Sequence, residues 1–170
     1  PGGFPEKYAE QISSSKNSIN SIRNHFGTIP IYAECGGMLI LGNSLTDLWG
    51  NKYSMASILP FEAVKGRMQV GYRKLTSIKD SLILKKNDKL DGHEFHHWEL
   101  NTSIRKNIKE NQLEFNEPKI SLDPPWFLEG WKVDKSKEGW SNNYLHASWI
   151  HLHWPSSPKI LTRWRKSFKN

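Results

Sequence analysis

The apolar positions at the start of the chain recur with helical spacing. Between residues 6 and 26 they are separated by three, four or seven positions, with Ser and Lys between them: Tyr8, Ile12, Ile19, Ile22 and Phe26. This spacing predicts one amphipathic helix, which Gly27 ends. Residues 29–33 then form a short β-branched run typical of a strand buried on both faces. A helix followed by a buried strand predicts an α/β fold.

The rest of the chain predicts further strands and a closing helix. Residues 37–41 continue as an apolar helix, and the segments after residue 48 alternate in short stretches that we expect Gly50, Pro60, Gly66 and Gly71 to interrupt. Strands are predicted over residues 81–84, 94–100, 127–133 and 144–153. From Pro158 onward one apolar stripe predicts a helix that packs on the sheet: Ile160, Leu161, Trp164 and Phe168.

Length, charge and cysteine content narrow the class of protein. The 170 residues fit one domain, and no run of 18 apolar residues predicts a membrane span. The 24 Lys and Arg against 17 Asp and Glu give a net charge of +7, which attracts anions, but no nucleic-acid-binding motif accompanies it. The single cysteine excludes an internal disulfide and favours a reducing compartment, so we expect a cytoplasmic protein without nucleic-acid or membrane partners.

The first residues predict that sequence is missing upstream. The chain opens on Pro1-Gly2-Gly3-Phe4-Pro5-Glu6, a glycine turn that leads into a helix. Such a turn usually follows a buried strand, and none precedes it here. We therefore expect this chain to be a fragment.

The lone cysteine lies where a nucleophile is expected. Cys35 directly follows the predicted buried strand and precedes an apolar helix, with the small residues Ala33 and Gly37 two positions to either side. A sharp strand-turn-helix corner requires small residues there because the backbones approach closely. We expect the following helix N-terminus to favour the thiolate. The alternative is a buried, inert cysteine.

A cysteine nucleophile needs a base, and the chain offers seven histidines: His25, His93, His96, His97, His146, His151 and His153. His151 and His153 fall at the carboxyl end of a late predicted strand, the edge at which open α/β sheets build their sites. Two-residue alternation places both on one face, so periodicity does not separate them.

Residues 92–97, Gly-His-Glu-Phe-His-His, allow three interpretations. His93 and His96 with a histidine of the late strand would be metal ligands, or the segment would form a polar wall of a substrate pocket, or an exposed turn. The strand-like, Gly-bounded context favours the pocket wall over a metal site, and we expect no bound metal.

Five segments taken together resemble the glutaminase domain of the cobyrinic acid a,c-diamide synthases. They match in order and spacing over nearly the whole chain: Pro1-Gly2-Gly3-Phe4-Pro5-Glu6, Tyr32-Ala33-Glu34-Cys35-Gly36-Gly37, Gly71-Tyr72-Arg73, Gly92-His93-Glu94-Phe95-His96 and Ala147-Ser148-Trp149-Ile150-His151-Leu152-His153. The long, Trp-rich form is similar to the cyanobacterial branch. The resemblance implies a class I glutaminase (flavodoxin-like) architecture, an open, mostly parallel sheet flanked by helices, truncated at its N-terminus and filling residues 1–170.

The resemblance also implies an activity and assigns roles. Cys35 would attack the side-chain amide of L-glutamine to form a γ-glutamyl thioester and release ammonia. His151, which matches the family's active-site histidine, would deprotonate Cys35 and then protonate the ammonia. Gly3 and Gly36 would supply the N–H groups of the oxyanion hole.

Two positions depart from the wider class. Many class I glutaminases carry Glu two residues after the histidine and Gln four residues after the cysteine, where this chain has His153 and Leu39. What orients His151 is therefore open. The remaining candidate pocket residues are Glu34, His93, His96 and His153.

In the family that this chain resembles, ammonia passes to a separate domain that uses ATP and Mg²⁺ to activate the a and c carboxylates of cobyrinic acid. The sequence contains no G-x-x-x-x-G-K-[ST] loop, so we expect ATP and Mg²⁺ to bind a domain outside this chain. Two alternatives are the same chemistry on another tetrapyrrole, such as nickel sirohydrochlorin, and a non-enzymatic basic binding domain.

Overall fold

A computed structural model describes residues 2–102 and 121–168. Its helices are α1 (Ala9–Ser14), α2 (Lys16–His25), α3 (Gly36–Leu39) and α4 (Pro158–Ser167), with single 3₁₀ turns at Pro5–Lys7 and Trp154–Ser156. The closing helix is confirmed as α4.

The first predicted helix is two helices. Ser15 separates α1 from α2, and its hydroxyl donates a hydrogen bond to the carbonyl oxygen of Gln11 at 2.9 Å. A serine that bonds to its own backbone competes with the helix, and Ser13 and Ser14 precede it. The single predicted helix was therefore wrong at this break. Ile12, Ile22 and Phe26 nevertheless pack against one core, and Ile19 is buried as well.

A small sheet of three strands carries the cysteine corner. It contains β1 (Ile31–Glu34), β9 (Leu145–Ser148) and β8 (Trp140–Ser141) in the order β1-β9-β8. β1 and β9 are parallel, with Glu34 opposite Ser148, whereas β8 is antiparallel to β9. The carboxyl ends of β1 and β9 therefore meet at one edge.

A larger sheet packs beside the small one. Its strands are β2 (Ser44–Thr46), β3 (Lys52–Ser54), β4 (Glu62–Ser77), β5 (Lys89–Asn101), β6 (Trp126–Gly130), β7 (Val133–Glu138) and β10 (His151–Leu152). They follow the order β10-β5-β4-β2-β3, and the β6–β7 hairpin attaches to β4 through β6.

The chain is an α/β protein with a curled mixed sheet and flanking helices, consistent with a class I glutaminase fold. Parallel pairing within the described residues is confined to β1–β9 and β2–β4, so the sheet is mixed rather than mostly parallel. Strands β4 and β5 and strands β6 and β7 pair with the strand next in sequence. Strands joined by short connections pair antiparallel.

Several predicted strand limits were wrong. β4 runs on through Gly66 and Gly71, with a change of register between Lys65 and Gln69. Residues 81–84 form no strand, because Leu82, Ile83 and Leu84 are buried as a loop in the core. Residues 127–133 span parts of both β6 and β7, and residues 144–153 divide into β9 and β10, which belong to different sheets.

The small sheet lies between two hydrophobic clusters. Ala33, Leu145 and Ala147 belong to the first, together with Met38 and Phe61. On the opposite face, Tyr32 packs against the second, which contains Trp126, Ile150 and Ile160. Burial on both faces fixes β1 and β9, and with them the residues that follow their carboxyl ends. No helix in the described ranges is long and apolar enough to cross a membrane.

Candidate functional site

Cys35 occupies a strained corner between β1 and α3. Its φ of 47° and ψ of −113° lie in a region that residues with a side chain rarely adopt. Its backbone N–H donates to the carbonyl oxygen of Ser148 at 2.8 Å, which ties the corner to β9. The side chain is only 7% exposed, yet it lines a cavity of about 560 Å³. The predicted strand-turn-helix corner is therefore present.

Glycines allow the chain's first segment to approach this corner. A Cβ on Gly36 would lie 2.6 Å from the carbonyl oxygen of Gly3, which no side chain tolerates. Gly3 lines the cavity beside Cys35, and Gly36 is the residue directly after Cys35 in the sequence. The two glycines that the resemblance assigns to the oxyanion hole therefore lie against each other beside Cys35.

Burial keeps Cys35 protonated. The pKa of the thiol is raised to about 11, mainly by burial. The backbone N–H of Gly36 lowers the pKa, whereas the carboxylates of Glu6, Glu34 and Glu94 add to the rise. The thiol lies 3.6 Å from the carbonyl oxygen of Phe95, to which it donates. The N–H of Gly36 at the start of α3 lowers the pKa of the thiol, as expected of a helix N-terminus, but α3 has only four residues and burial outweighs this effect.

His151 lines the same cavity from β10. Its ring stacks on His93 with centroids 4.8 Å apart and an angle of 12° between the planes. Gly2 packs directly on it, since a Cβ at Gly2 would overlap Cε1 of the imidazole. Burial lowers the pKa of His151, although the carboxylate of Glu34 opposes that shift. The ring is therefore neutral near pH 7 and able to accept a proton.

Glu34 lies between the two halves of the site. Its Oε1 accepts hydrogen bonds from the hydroxyl of Tyr32 and from the backbone N–H of Leu152, the latter at 3.0 Å. Its Oε2 lies 3.7 Å from Nδ1 of His151. The sequence left Glu34 open between pocket and structural residue, and the structure places its carboxylate beside the histidine.

His96 and His93 lie on opposite faces of β5, as strand alternation dictates. His96 is buried against Trp149, with ring centroids 3.7 Å apart, and its Nε2 donates to Glu94 Oε1 at 2.8 Å. Glu94 also accepts a 2.7 Å bond from Arg73 Nε and lines the cavity itself. Burial acts to raise the pKa of Glu94, but the hydrogen bonds from His96 and Arg73 hold it below its usual value.

This arrangement does not favour the metal interpretation. Within residues 2–102 and 121–168, no group of three or more His, Cys, Asp or Glu side chains is placed to hold a metal ion.

His153 lies away from the cavity. It is exposed and follows β10 at the start of a 3₁₀ turn, where its carbonyl oxygen accepts hydrogen bonds from Ser156. β10 ends at Leu152, so His153 lies outside the strand, and of the two histidines it is His151 that lines the cavity.

Sequence reasoning missed Glu138, a half-buried residue whose carboxylate lies behind the site. It accepts hydrogen bonds from the hydroxyl of Ser148 at 2.7 Å, the backbone N–H of Trp149 at 2.9 Å and the indole of Trp126 at 2.7 Å. Burial raises its pKa. Glu138 fixes the turn that carries the chain from β9 to His151. No local pattern marks it, because its partners come from other strands.

A profile of the CobB/CobQ-like glutamine amidotransferase domain matches residues 1–159. The chain belongs to this family. The Cys35 corner, the cavity and His151 therefore lie in a CobB/CobQ-like glutamine amidotransferase domain.

Curated relatives share the sequence over most of the chain. A cobyrinate a,c-diamide synthase of Gloeobacter violaceus is 34% identical over 155 residues, which cover 90% of this chain and 30% of the relative. Synthases of the same name from Leptospira interrogans and Synechocystis are 30% and 29% identical over 94% and 96% of this chain. The chain spans about a third of the length of these relatives.

Proposed function

We propose that this chain hydrolyses L-glutamine with Cys35 as nucleophile and His151 as base. The observation that carries the proposal is the strained Cys35 corner, which opens into the same cavity as a neutral histidine. A thiol with a raised pKa needs a base to become nucleophilic, and a half-buried imidazole with a lowered pKa is such a base.

The reaction proceeds in two steps. His151 accepts the proton of Cys35 as sulfur attacks the amide carbon of the glutamine side chain, and the intermediate expels ammonia, which takes that proton. The product is a γ-glutamyl thioester on Cys35. Water, deprotonated by His151, then attacks the thioester. Glutamate is released, and His151 returns the proton to the sulfur of Cys35. The sum is glutamine and water giving glutamate and ammonia.

Gly3 and Gly36 are proposed to supply the oxyanion hole. The N–H of Gly36 lowers the pKa of the Cys35 thiol, so it lies near the sulfur and near the carbon that sulfur attacks. Backbone N–H groups fixed in this way stabilise the oxyanion that develops in the tetrahedral intermediate. On the opposite side Glu94, held by Arg73, offers a carboxylate to a substrate that carries an α-ammonium group.

We further propose that the ammonia is used to amidate the a and c carboxylates of cobyrinic acid in an ATP-driven ligase reaction of cobalamin biosynthesis. The names of the relatives support this substrate over another tetrapyrrole. No phosphate-binding loop occurs in the sequence and no acidic or histidine cluster in the described residues suits Mg²⁺. ATP and Mg²⁺ are therefore assigned to a part of the protein outside this chain.

The test is to separate the use of glutamine from the use of ammonia. In the natural full-length protein, Cys35→Ala should release no ammonia from glutamine, yet amidate a corrinoid acid when ammonia is added. A glutamine-analogue electrophile, 6-diazo-5-oxonorleucine, should label Cys35 in the unmodified protein, and excess glutamine should prevent this.

Two results would contradict the proposal. If Cys35→Ala still releases ammonia from glutamine, Cys35 is not the nucleophile. If no ammonia is released by the unmodified protein and no label is found, the chain is a binding domain rather than a glutaminase.

A further inference from the structure

The carboxylate of Glu34 is held in one orientation. Both donors to Oε1, the hydroxyl of Tyr32 and the N–H of Leu152, lie on elements that are fixed by other contacts. Leu152 belongs to β10, which pairs with β5, and Tyr32 belongs to β1, which pairs with β9. Because Oε1 is occupied in this way, Oε2 faces Nδ1 of His151 at 3.7 Å.

Tyr32 is itself fixed. Its hydroxyl oxygen accepts a hydrogen bond from the indole N–H of Trp154 at 3.2 Å, and its ring stacks on His146 with centroids 5.4 Å apart. Burial, and then Glu34, raise the pKa of Tyr32, so the hydroxyl keeps its proton. The hydrogen bonds therefore run in one direction, from Trp154 through Tyr32 to Glu34.

We propose that Glu34 is a positioning residue for His151. Its carboxylate holds the ring proton at Nδ1, which leaves the lone pair of Nε2 to accept the proton of Cys35. A carboxylate beside one ring nitrogen selects the tautomer in which that nitrogen carries the proton. Contacts of this kind are often long before substrate binds and shorten during the reaction, which accounts for 3.7 Å. The inference rests on the proposed function.

The charge of Glu34 also has a consequence for proton transfer. When His151 takes the proton of Cys35 it becomes an imidazolium, and the groups around it are Glu34 from β1 and His93 and His96 from β5. Of these, Glu34 is the group whose charge favours the imidazolium. An ionised Glu34 therefore makes the thiolate–imidazolium pair easier to form.

The decisive variant is Glu34→Gln in the natural full-length protein. Glutamine keeps the size of the side chain, and its carbonyl oxygen still accepts from Leu152. Its NH₂ group then faces Nδ1 and makes that nitrogen an acceptor, so the ring proton moves to Nε2. We expect kcat for glutamine hydrolysis to fall about 10- to 100-fold, as when a partner that orients a catalytic or ligating histidine is lost. KM should change less than about threefold, since Glu34 does not contact glutamine in this proposal.

Alkylation of Cys35 by iodoacetamide provides a readout that a merely structural role would not move. In Glu34→Gln the rate of alkylation near pH 7 should fall, because the thiolate–imidazolium pair is less populated. Above the pKa of the thiol the variant and the unmodified protein should be alkylated at the same rate. Glu34→Asp keeps the charge and should recover part of the rate. Asp91→Asn is the matched control, since it removes an exposed carboxylate from the strand that carries His93, and it should change neither measurement.

A direct measurement does not depend on any variant. Nitrogen-15 NMR of the unmodified protein should show His151 protonated at Nδ1 and not at Nε2 at pH 8. The opposite tautomer, or an unchanged kcat and alkylation profile in a folded Glu34→Gln protein, would overturn the inference. A protein in which Cys35→Ala leaves glutamine hydrolysis intact would instead overturn the proposed function, so the two failures are distinguishable.

Discussion

The cavity has two walls that are built differently. The first, which we name the parallel wall, consists of β1, β9 and the residues after them. It presents Cys35 and His151 to the cavity, with Glu34 beside His151. The second, the hairpin wall, consists of β4 and β5 and presents Val70, Tyr72, His93 and Phe95.

The two walls differ in how far their side chains are constrained. On the parallel wall Cys35 is 7% exposed, and Glu34 is held by two hydrogen bonds to Oε1. On the hairpin wall Tyr72 is 87% exposed and Val70 60%. Polar groups held in place by buried neighbours can perform chemistry that depends on tenths of an ångström, whereas exposed apolar groups contribute mainly surface. We therefore expect the parallel wall to determine the rate. The exposed side chains of the hairpin wall, unlike its buried Glu94, should affect substrate binding only weakly.

The largest effect should follow from removing the base. We expect His151→Ala to lower kcat for glutamine hydrolysis by about 10² to 10⁴, the contribution typical of general acid–base catalysis. The matched control is His153→Ala, two residues along the chain but exposed, which should retain nearly normal turnover. Equal losses in both variants, measured as glutamate formed per unit time, would contradict the assignment of His151.

A buried histidine on β9, behind the parallel wall, should make the free energy of unfolding depend on pH. His146 is completely buried on β9 between Tyr32 and Trp126, and within the described residues neither ring nitrogen has a hydrogen-bond partner. Burial lowers the pKa of His146 to about 3. In the unfolded chain the pKa of this histidine is about 6.5, so below that pH the unfolded chain binds one proton more than the folded chain. The free energy of unfolding should therefore fall by about 1.4 kcal/mol per pH unit as the pH falls from 6.5 to 3.

Urea unfolding of His146→Leu tests this. The free energy of unfolding of the variant should depend less steeply on pH than that of the unmodified protein between pH 6.5 and pH 4. An equal slope in the two proteins would mean that His146 is protonated in the folded state or reaches water there.

The smallest effect should come from the hairpin wall. Tyr72→Ala removes a side chain that is almost fully exposed at the cavity mouth, so stability should change by less than about 0.5 kcal/mol. We expect kcat to be unchanged and KM for glutamine to rise no more than about threefold. A large loss of kcat would show that the exposed wall takes part in catalysis and would remove the distinction between the two walls.

Residues near one another in sequence were predicted better than residues that meet across the fold. The Cys35 corner follows from a β-branched run and two small residues, all within nine positions, and α4 follows from one apolar stripe. The position of Glu34 beside His151 depends on Leu152, 118 residues away, and no pattern in the sequence near Glu34 predicts this contact. The ion pair of Arg73 and Glu94 joins two long strands in the same way.

The strand limits failed for a related reason. Gly66 and Gly71 suggested interruptions, but β4 is held on one edge by β5 and on part of the other by β6. Pairing along so many residues outweighs the local preference of two glycines. The loop of residues 81–84 shows the converse, since Leu82, Ile83 and Leu84 have strand-like composition but fill a core position without a strand partner in the described residues.

The parallel pairing of β1 with β9 has a consequence for protein synthesis. Cys35 is translated more than 100 residues before the strand that holds its corner and before the N–H that fixes Glu34. A ribosome-bound chain that has not yet emerged beyond β9 has no partner for β1, and contacts of such long separation form late in folding. The Cys35 corner of a nascent chain is therefore unsupported until β9 and β10 have emerged.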